Sequence, residues 1–535
     1  MKFNASIAQP CDQGVILSAP DAVPCSASAA RWILAATILG SSLAFIDGSV
    51  VNLALPALQS NLNATVVDVQ WIVEAYALLL AAVMLVGGSL GDIYGRKRIY
   101  IAGVALFAAA SAWCGLAPGV NQLIFARAVH GIGAALLVPG SLAIISASFQ
   151  KRDRGRAIGT WSGFTSITAA AGPVLGGFLI QHGSWRWVFF INIPLAIAVL
   201  VLTFWHVPES RNARTGARLD WLGAVLATVG LAGIVYPLIE SSRRGWKDPA
   251  LIAVFLAGVG VLAAFLVVER NTAEPLLPLS LFRSREFSGV NLVTLFLYSA
   301  LSGMLFFFPL NLIQVQGYST TAAGASMLPF ILLMFFLSRW SGGLVDRYGA
   351  RPPLIFGPVI VAIGFALFAV PTTGGSYGKT FFPAMLVLGL GMATSVAPLT
   401  TTVMNSVSEE RAGTASGINN TVSRLAGVLS IAVLGIVMLT SFGLQLSARM
   451  SAMDLNPGIR QEIESQRVKL AAIEIPQEID MGVRKKIRQS IDESFIAAFR
   501  LVMLIASGLA LLSSATAWLT IESAQEDRLL SRSHQ

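Results

Sequence analysis

Two charged residues lie inside long apolar stretches of the chain, where a charge is costly. Asp47 falls in the second half of the apolar stretch 32–56, and Arg127 lies within another, 121–146. A charged side chain at the centre of a membrane-spanning helix costs roughly 2.5 kcal/mol or more unless it is paired or hydrated. Burial favours the protonated form of a carboxyl group, whereas a nearby cation favours the charged form. A carboxylate subject to both effects can load and release a proton. We therefore interpret Asp47 as a proton site; the alternative is a structural aspartate near a helix end.

Arg127 and two further polar residues are candidates for the same proton chemistry. Arg127 is too deep to reach water by extending its side chain and needs a partner, either Asp47 or a backbone carbonyl. His130 follows one helical turn later and is either a titrating group or a packing residue. Glu74 lies close to the boundary of an apolar stretch, three residues after Trp71, and either binds a cation, takes a proton or is solvated.

Other kinds of chemistry lack their residue patterns. No G-x-x-x-x-G-K-[ST] loop occurs, which disfavours direct use of ATP. The cysteines and histidines have no metal-type spacing; they are Cys11, Cys25, Cys114, His130, His182, His206 and His534. The sequence therefore predicts no metal site, no cofactor and no enzyme activity.

The composition explains what positions these residues. The chain is 55% hydrophobic and 12% charged, with a mean hydropathy of +0.70, whereas soluble domains carry roughly 25% charged residues. Its apolar residues form runs of about 20, the length that crosses a ~30 Å hydrocarbon core. We predict fourteen membrane spans, at 32–56, 71–91, 99–117, 121–146, 157–180, 187–206, 221–240, 249–268, 288–313, 322–344, 354–371, 380–404, 413–439 and 494–520.

The arginines and lysines predict the orientation in the lipid bilayer. They concentrate in the short loops on the N-terminal side, which places both termini in the cytoplasm under the positive-inside rule. The net charge of +9 is explained by this topology and does not indicate a nucleic-acid partner. We interpret residues 1–31 and 521–535 as cytoplasmic tails, the first of them not a cleaved signal peptide.

A repeat divides the chain into two halves. The segment Gly88-Ser-Leu-Gly-Asp92-Ile-Tyr-Gly95-Arg96-Lys97 recurs 254 residues later as Gly342-Gly-Leu-Val-Asp346-Arg347-Tyr-Gly349-Ala-Arg351. Each copy follows the second span of its half. We predict an all-α polytopic membrane protein with two pseudo-symmetric six-helix bundles, 32–206 and 288–520, an inserted hairpin, 221–268, and an extracytoplasmic segment, 441–493, with one or two amphipathic helices.

The repeated G-x-L-x-D-x-x-G-R/K pattern resembles the cytoplasmic loop signature of the major facilitator superfamily. Ala350 replaces one basic residue of the second copy. Further segments, spread over almost the whole chain, resemble the fourteen-helix drug/proton antiporter branch, the EmrB/QacA type. They are Asp47-Gly-Ser-Val-Val-Asn52-Leu-Ala-Leu-Pro56, Arg127-Ala-Val-His130-Gly-Ile-Gly133, Gly172-Pro173-Val-Leu-Gly176-Gly177, Trp185-Arg-Trp187-Val-Phe-Phe-Ile-Asn192-Ile-Pro194 and Glu274-Pro-Leu-Leu-Pro278.

This resemblance implies roles for individual residues. It implies that Asp47 takes part in proton coupling and Arg127 in proton relay, while His130 stands where the family more often has glutamine. The set Gly172, Pro173, Gly176 and Gly177 resembles the antiporter motif of exporters, with Thr168 in place of an upstream glycine; small residues for ordinary helix packing are the alternative.

Charged residues at the predicted cytoplasmic helix ends are candidate gates. Opposite charges can bridge neighbouring helices in one conformation and separate in the other, and they also anchor a helix to the cytoplasmic side. The set comprises Gly88, Asp92, Gly95, Arg96, Lys97, Asp346, Arg347 and Arg351.

The second half does not repeat the ionisable set, because Met385 occupies the position that matches Arg127. We therefore expect proton chemistry mainly in the first half and substrate contacts in the second. The candidate pocket residues are Phe306, Phe307, Phe308, Asn311, Gln314, Met327 and Phe330, for which lipid-facing packing is the alternative.

The predicted function is proton-coupled efflux of amphipathic drugs or similar small molecules across the bacterial inner membrane. The alternative is a dedicated exporter of a single metabolite, siderophore or self-made antibiotic on the same scaffold. The expected partners are a small-molecule substrate, protons and the lipid bilayer. Whether an envelope adaptor protein also takes part stays open.

Overall fold

The computed structural model describes residues 27–149, 151–210, 220–272, 275–407, 412–453 and 455–521, and every regular element in these ranges is helical. The first half contains α1 (Ala27–Leu62), α2 (Val66–Tyr94), α3 (Arg96–Leu116), α4 (Val120–Ser148), α5 (Lys151–His182), α6 (Trp187–Phe190) and α7 (Asn192–His206). An inserted pair follows, α8 (Trp221–Arg244) and α9 (Pro249–Asn271). The second half contains α10 (Arg285–Leu310), α11 (Thr320–Ala325), α12 (Leu328–Tyr348), α13 (Arg351–Phe368), α14 (Tyr377–Thr380), α15 (Phe382–Asn405), α16 (Ala412–Ser451), α17 (Pro457–Ser465) and α18 (Met481–Thr520).

Thirteen candidate spans are long and apolar enough to cross a membrane within the described part of the chain. Each coincides with one of the predicted spans. The remaining predicted span, 157–180, lies within α5, a helix of 32 residues, several of whose side chains fall outside the description. The helices thus match the predicted polytopic fold.

Both copies of the repeated loop turn at a glycine with positive φ. Gly95 ends α2 with φ +110°, and Gly349, 254 residues later, ends α12 with φ +79°. Glycine adopts this left-handed region without the steric penalty of a Cβ atom. Packing repeats as well, because α4 contacts α2 and α3 as α15 contacts α12 and α13. The internal repeat is therefore structural as well as sequential.

The inserted helices α8 and α9 form a hairpin that contacts α2. Gly233 and Gly258 face each other so closely that a Cβ atom on either would collide with the other's backbone. On the α2 side, Trp71 Nε1 donates to Glu240 Oε1 over 2.9 Å, and Arg243 forms an ion pair of 2.7 Å with Asp68. These two contacts attach the hairpin to the first half.

Residues 455–480 form a cover over one end of the bundle, which we call the outer segment. The flanking helices α16 and α18 reach beyond the predicted span edges, and α17 with a 3-10 turn at Arg467–Ala472 lies between them. Lys469 Nζ donates to Asn63 Oδ1 of the first half over 2.9 Å, and Arg488 donates to the Gln314 carbonyl of the second half, also over 2.9 Å. The outer segment and the start of α18 therefore contact both halves.

Candidate functional site

Asp47 and Arg127 form a sealed ion pair. Asp47 on α1 accepts a hydrogen bond at Oδ2 from Arg127 Nη1 on α4 over 2.7 Å, and the two side chains are 0% and 1% exposed. Arg127 Nε also donates to the Ile72 carbonyl of α2 over 3.1 Å. Both partners proposed for this arginine are therefore present. The guanidinium joins three helices of the first half.

His130 completes the cluster. Its Nδ1 lies 3.0 Å from Arg127 Nη1 and 3.8 Å from Asp47 Oδ1, and its side chain is fully buried. Because a guanidinium only donates hydrogen bonds, Nδ1 must be the acceptor, which puts the proton of the neutral ring on Nε2. The ring lies 3.9 Å, centroid to centroid, from that of Phe107. Arg127 Nη1 thus donates one hydrogen bond to Asp47 and the other to His130.

Aromatic rings surround this cluster, and two of its polar atoms form no hydrogen bond among the described residues. The Tyr76 ring centroid lies 4.1 Å from the Arg127 guanidinium carbon, which is a cation–π distance. Among the described residues, Asp47 Oδ1 and His130 Nε2 have no hydrogen-bond partner. A carboxylate with one free oxygen in a sealed apolar site has room to accept a proton there.

Glu74 lies apart from this cluster. Its side chain is 0% exposed in this conformation. Neither carboxylate oxygen has a hydrogen-bond partner in the described part of the chain. The neighbouring Trp71 donates to Glu240 of the inserted hairpin. The structure therefore joins Asp47, Arg127 and His130, and leaves Glu74 as a separate buried carboxyl group.

The first cytoplasmic-loop copy forms a local network. Asp92 pairs with Arg96 over 2.8 Å, and Arg96 also donates to the Ala143 carbonyl of α4 over 3.4 Å. Glu209, which the sequence analysis missed, accepts from the backbone N–H groups of Lys97 and Arg98 over 3.0 and 3.2 Å at the start of α3. This is carboxylate capping of a helix N-terminus. Gly88 lies inside α2, and Gly95 ends that helix.

The second copy is described only in part. Arg351 donates to the Trp518 carbonyl of α18 over 2.9 Å, and Arg347 stands over the Tyr348 ring at 5.3 Å. The Asp346 side chain lies outside the described residues. The gating prediction for this copy therefore stays a prediction.

The glycines of the candidate antiporter motif allow close helix contacts on two sides of α5. A Cβ atom on Gly172 would collide with Ser49, and one on Gly176 with Val50, both on α1. A Cβ atom on Gly177 would meet the Thr320 backbone of α11, and one on Gly324 would meet the carbonyl of Pro173. The motif therefore contacts both α1 and the second half.

Further hydrogen bonds join the two halves near this contact. Thr320 Oγ1 donates to the Gly177 carbonyl over 2.9 Å, and Gln314 Nε2 donates to Gln59 Oε1 over 2.8 Å. All of these residues lie at the bundle end that carries the outer segment, opposite the Asp92 loop. The halves are therefore closed together on the predicted extracytoplasmic side.

The predicted substrate residues of α10 and the following turn are engaged in packing. Phe306, Phe307 and Phe308 are 0% exposed. Asn311 accepts from Gln316 Nε2 over 3.3 Å, and Gln314 belongs to the closure described above. Phe330 on α12 is partly buried. In this conformation α10 presents these rings to the core and not to an open surface.

Sequence reasoning missed Arg424, a further arginine inside a predicted span. Arg424 lies in α16, near the middle of the predicted span 413–439, and is half-buried. Its guanidinium carbon lies 5.9 Å from the ring centroid of Phe45, on α1 of the other half. The signal is the one that identifies Arg127, an arginine inside an apolar run, but Arg424 does not occupy the repeat position that matches Arg127, which holds Met385.

A membrane-embedded bundle of two related halves, with a buried ion pair in one of them, is the architecture of a secondary transporter. The model of the Major Facilitator Superfamily matches residues 37–431, and the chain belongs to that family.

Known relatives and solved structures agree with this family. The "Multidrug resistance protein Stp" of Mycobacterium tuberculosis (strain CDC 1551 / Oshkosh) is 35% identical over 412 residues, covering 76% of this chain and 75% of that protein. The "Tetracenomycin C resistance and export protein" of Streptomyces glaucescens is 32% identical over 509 residues and 92% of both chains. A bacterial homologue of the human lysosomal transporter Spinster, at 19% identity, shares the fold with a TM-score of 0.63, covering 93% of this chain and 100% of that one. The protein is therefore a multi-pass membrane transporter of the drug-efflux branch, not an enzyme.

Proposed function

We propose that this transporter is a proton-coupled antiporter that exports amphipathic small molecules across the bacterial inner membrane, with both termini in the cytoplasm. The observation that supports it most directly is the sealed pair of Asp47 and Arg127, which has a free carboxylate oxygen. One proton crossing 100 mV supplies about 2.3 kcal/mol. A buried carboxylate that changes charge can convert that free energy into a change of helix packing.

The pair is the proposed coupling element. When a proton binds Asp47, the ion pair loses its negative partner, and Arg127 keeps only the Ile72 carbonyl and His130. Asp47 is two or three residues from Ser49 and Val50, which contact the motif glycines Gly172 and Gly176. A shift of α1 on protonation therefore acts on the packing of α5. The same helix α5 contacts Thr320 of the second half, so the closure can respond to the proton.

Transport in everted vesicles tests this proposal. The parent protein is expected to accumulate a fluorescent amphipathic compound when respiration builds a proton gradient, and to lose the compound when a protonophore is added. Accumulation that survives the protonophore and instead requires ATP contradicts the proposal. A requirement for an envelope adaptor is tested by the same assay, since everted inner-membrane vesicles lack the outer membrane.

The alternative of a dedicated exporter is favoured by one observation. The tetracenomycin C protein, whose name gives a single compound, matches 92% of this chain. A susceptibility panel in a pump-deficient host separates the two functions. Protection against several unrelated compounds supports multidrug efflux, and protection against one compound alone supports the dedicated exporter.

A further inference from the structure

We propose that Arg424 is an anion-binding residue of the substrate cavity between the two halves, and that it selects amphipathic aromatic compounds with a carboxylate or a similar anionic group. This inference rests on the proposed efflux function and adds the substrate class to it. It is carried by the placement of Arg424 in the second half, opposite Phe45 of the first.

Arg127 and Arg424 differ in a way that assigns them different tasks. Arg127 is 1% exposed and has a carboxylate, a carbonyl and an imidazole as partners. Arg424 is half-buried, and among the described residues it forms neither an ion pair nor a hydrogen bond. Five guanidinium N–H donors are thus available at this membrane depth, where charged residues that lack a partner face a water-filled cavity or a ligand.

The surface opposite Arg424 is open. Gly48 lies one helical turn from Phe45 on the same face of α1, and it is exposed although Asp47 before it is buried and Ser49 after it is partly buried. A Cβ atom on Gly48 would meet no heavy atom within 4 Å. The face of α1 that approaches Arg424 therefore borders free space between the halves.

The neighbouring side chains suit an aromatic acid. Phe45 offers an aromatic ring beside the cation. Asn420, one turn earlier on α16, is exposed and supplies an amide. A guanidinium binds a carboxylate through two parallel hydrogen bonds, and the Phe45 ring can stack on the flat apolar part of the compound. A cationic compound would instead meet repulsion at this position.

Matched dye pairs with the same ring system test this selectivity in everted vesicles. The first pair is fluorescein, an anion, and rhodamine 6G, a cation; the second is 1-pyrenecarboxylate and 1-pyrenemethylammonium. The proteins compared are the parent, Arg424→Gln, Arg424→Lys and Arg500→Gln. Arg500 serves as a control because it donates to the Val370 and Pro371 carbonyls away from this cavity.

We expect the parent to accumulate the acids. Arg424→Gln should lower acid transport about tenfold or more, since hydrogen bonds to a charged group are lost, while any transport of the cationic partners is kept. Arg424→Lys should recover part of the acid transport because it keeps the charge but not the paired donors. Arg500→Gln should resemble the parent.

Three results overturn the inference. Equal loss of acids and cations in Arg424→Gln would make Arg424 a structural residue. A parent that exports the cations but neither acid contradicts anion selection and leaves proton-coupled efflux intact. A parent that moves no member of either pair when a proton gradient is present overturns both the inference and the proposed function.

Discussion

Arg127 Nη1 lies 2.7 Å from Asp47 Oδ2, and the pair joins α4 to α1 inside the first half with almost no exposure to solvent. A buried pair of this kind is a weak contributor to net stability, because both charges lose their hydration. Its cost becomes useful where one partner gains and loses a proton during a cycle. We therefore propose a coupling role for the pair in place of a stabilising one.

Removing only the cation should destabilise the protein strongly. Arg127→Met leaves Asp47 buried without its partner, so we expect a loss of about 3–5 kcal/mol in the free energy of unfolding in detergent. The double variant Asp47→Asn with Arg127→Met removes both charges and should recover part of that loss. A double variant that is less stable than Arg127→Met would contradict the assignment of these two residues as each other's main charge partners.

His130 should act as a hydrogen-bond acceptor and not as a titrating group. The Nδ1 atom faces a guanidinium donor, and the amide oxygen of glutamine can replace it. We therefore expect His130→Gln to keep both the transport rate and its pH profile, whereas His130→Phe, which has no acceptor, should lower the rate. A shifted pH profile in His130→Gln alone would assign a proton to the imidazole.

The small size of Gly177 should be needed to close the predicted extracytoplasmic side. Gly177→Val places two methyl groups against the Thr320 backbone and should hold the halves apart, which stops transport. A cysteine at Gln314 in a background without other cysteines should then react faster with a membrane-impermeant maleimide. Gly260→Val is the control, since a Cβ atom there meets nothing within 4 Å. Unchanged labelling in Gly177→Val would argue against this closure.

The attachment of the inserted hairpin should depend on Trp71. Trp71→Phe removes the N–H group that donates a hydrogen bond to Glu240 Oε1, and it leaves this buried carboxylate oxygen without that donor. We expect a loss of about 1–3 kcal/mol in unfolding free energy, measured by thermal or denaturant unfolding in detergent. Trp221→Phe, at an exposed position, should change stability little. Equal effects of the two substitutions would mean that the hydrogen bond to Glu240 contributes nothing specific.

Much of the fold follows from the sequence because the bilayer limits the choices. Apolar runs of spanning length must be helices, and the repeated loop with Gly95 and Gly349 relates the halves. The ends of α16 and α18 were predicted less well. Hydropathy marks where a helix leaves the membrane, not where it ends, and both helices continue beyond the predicted span edges to flank the outer segment.

The site could be predicted only where charge in an apolar run is the signal. That signal identified Asp47 and Arg127, and their pairing became visible once α1 and α4 were placed side by side. The same signal is present at Arg424, which lies outside the positions that match Asp47 and Arg127 in the repeat. The burial of Phe307 had no such signal, because a phenylalanine facing the core and one facing a cavity look alike in sequence.

The most direct test of the central claim is substrate-induced proton release from everted vesicles that carry either the parent protein or Asp47→Asn. The vesicles are first loaded with protons, and the external pH is recorded when a transported compound is added. We expect the parent to release protons on addition of the compound, and Asp47→Asn, expressed at the same level and still able to bind the compound, to release none. Equal proton release by the two proteins would contradict the assignment of Asp47 as the coupling site.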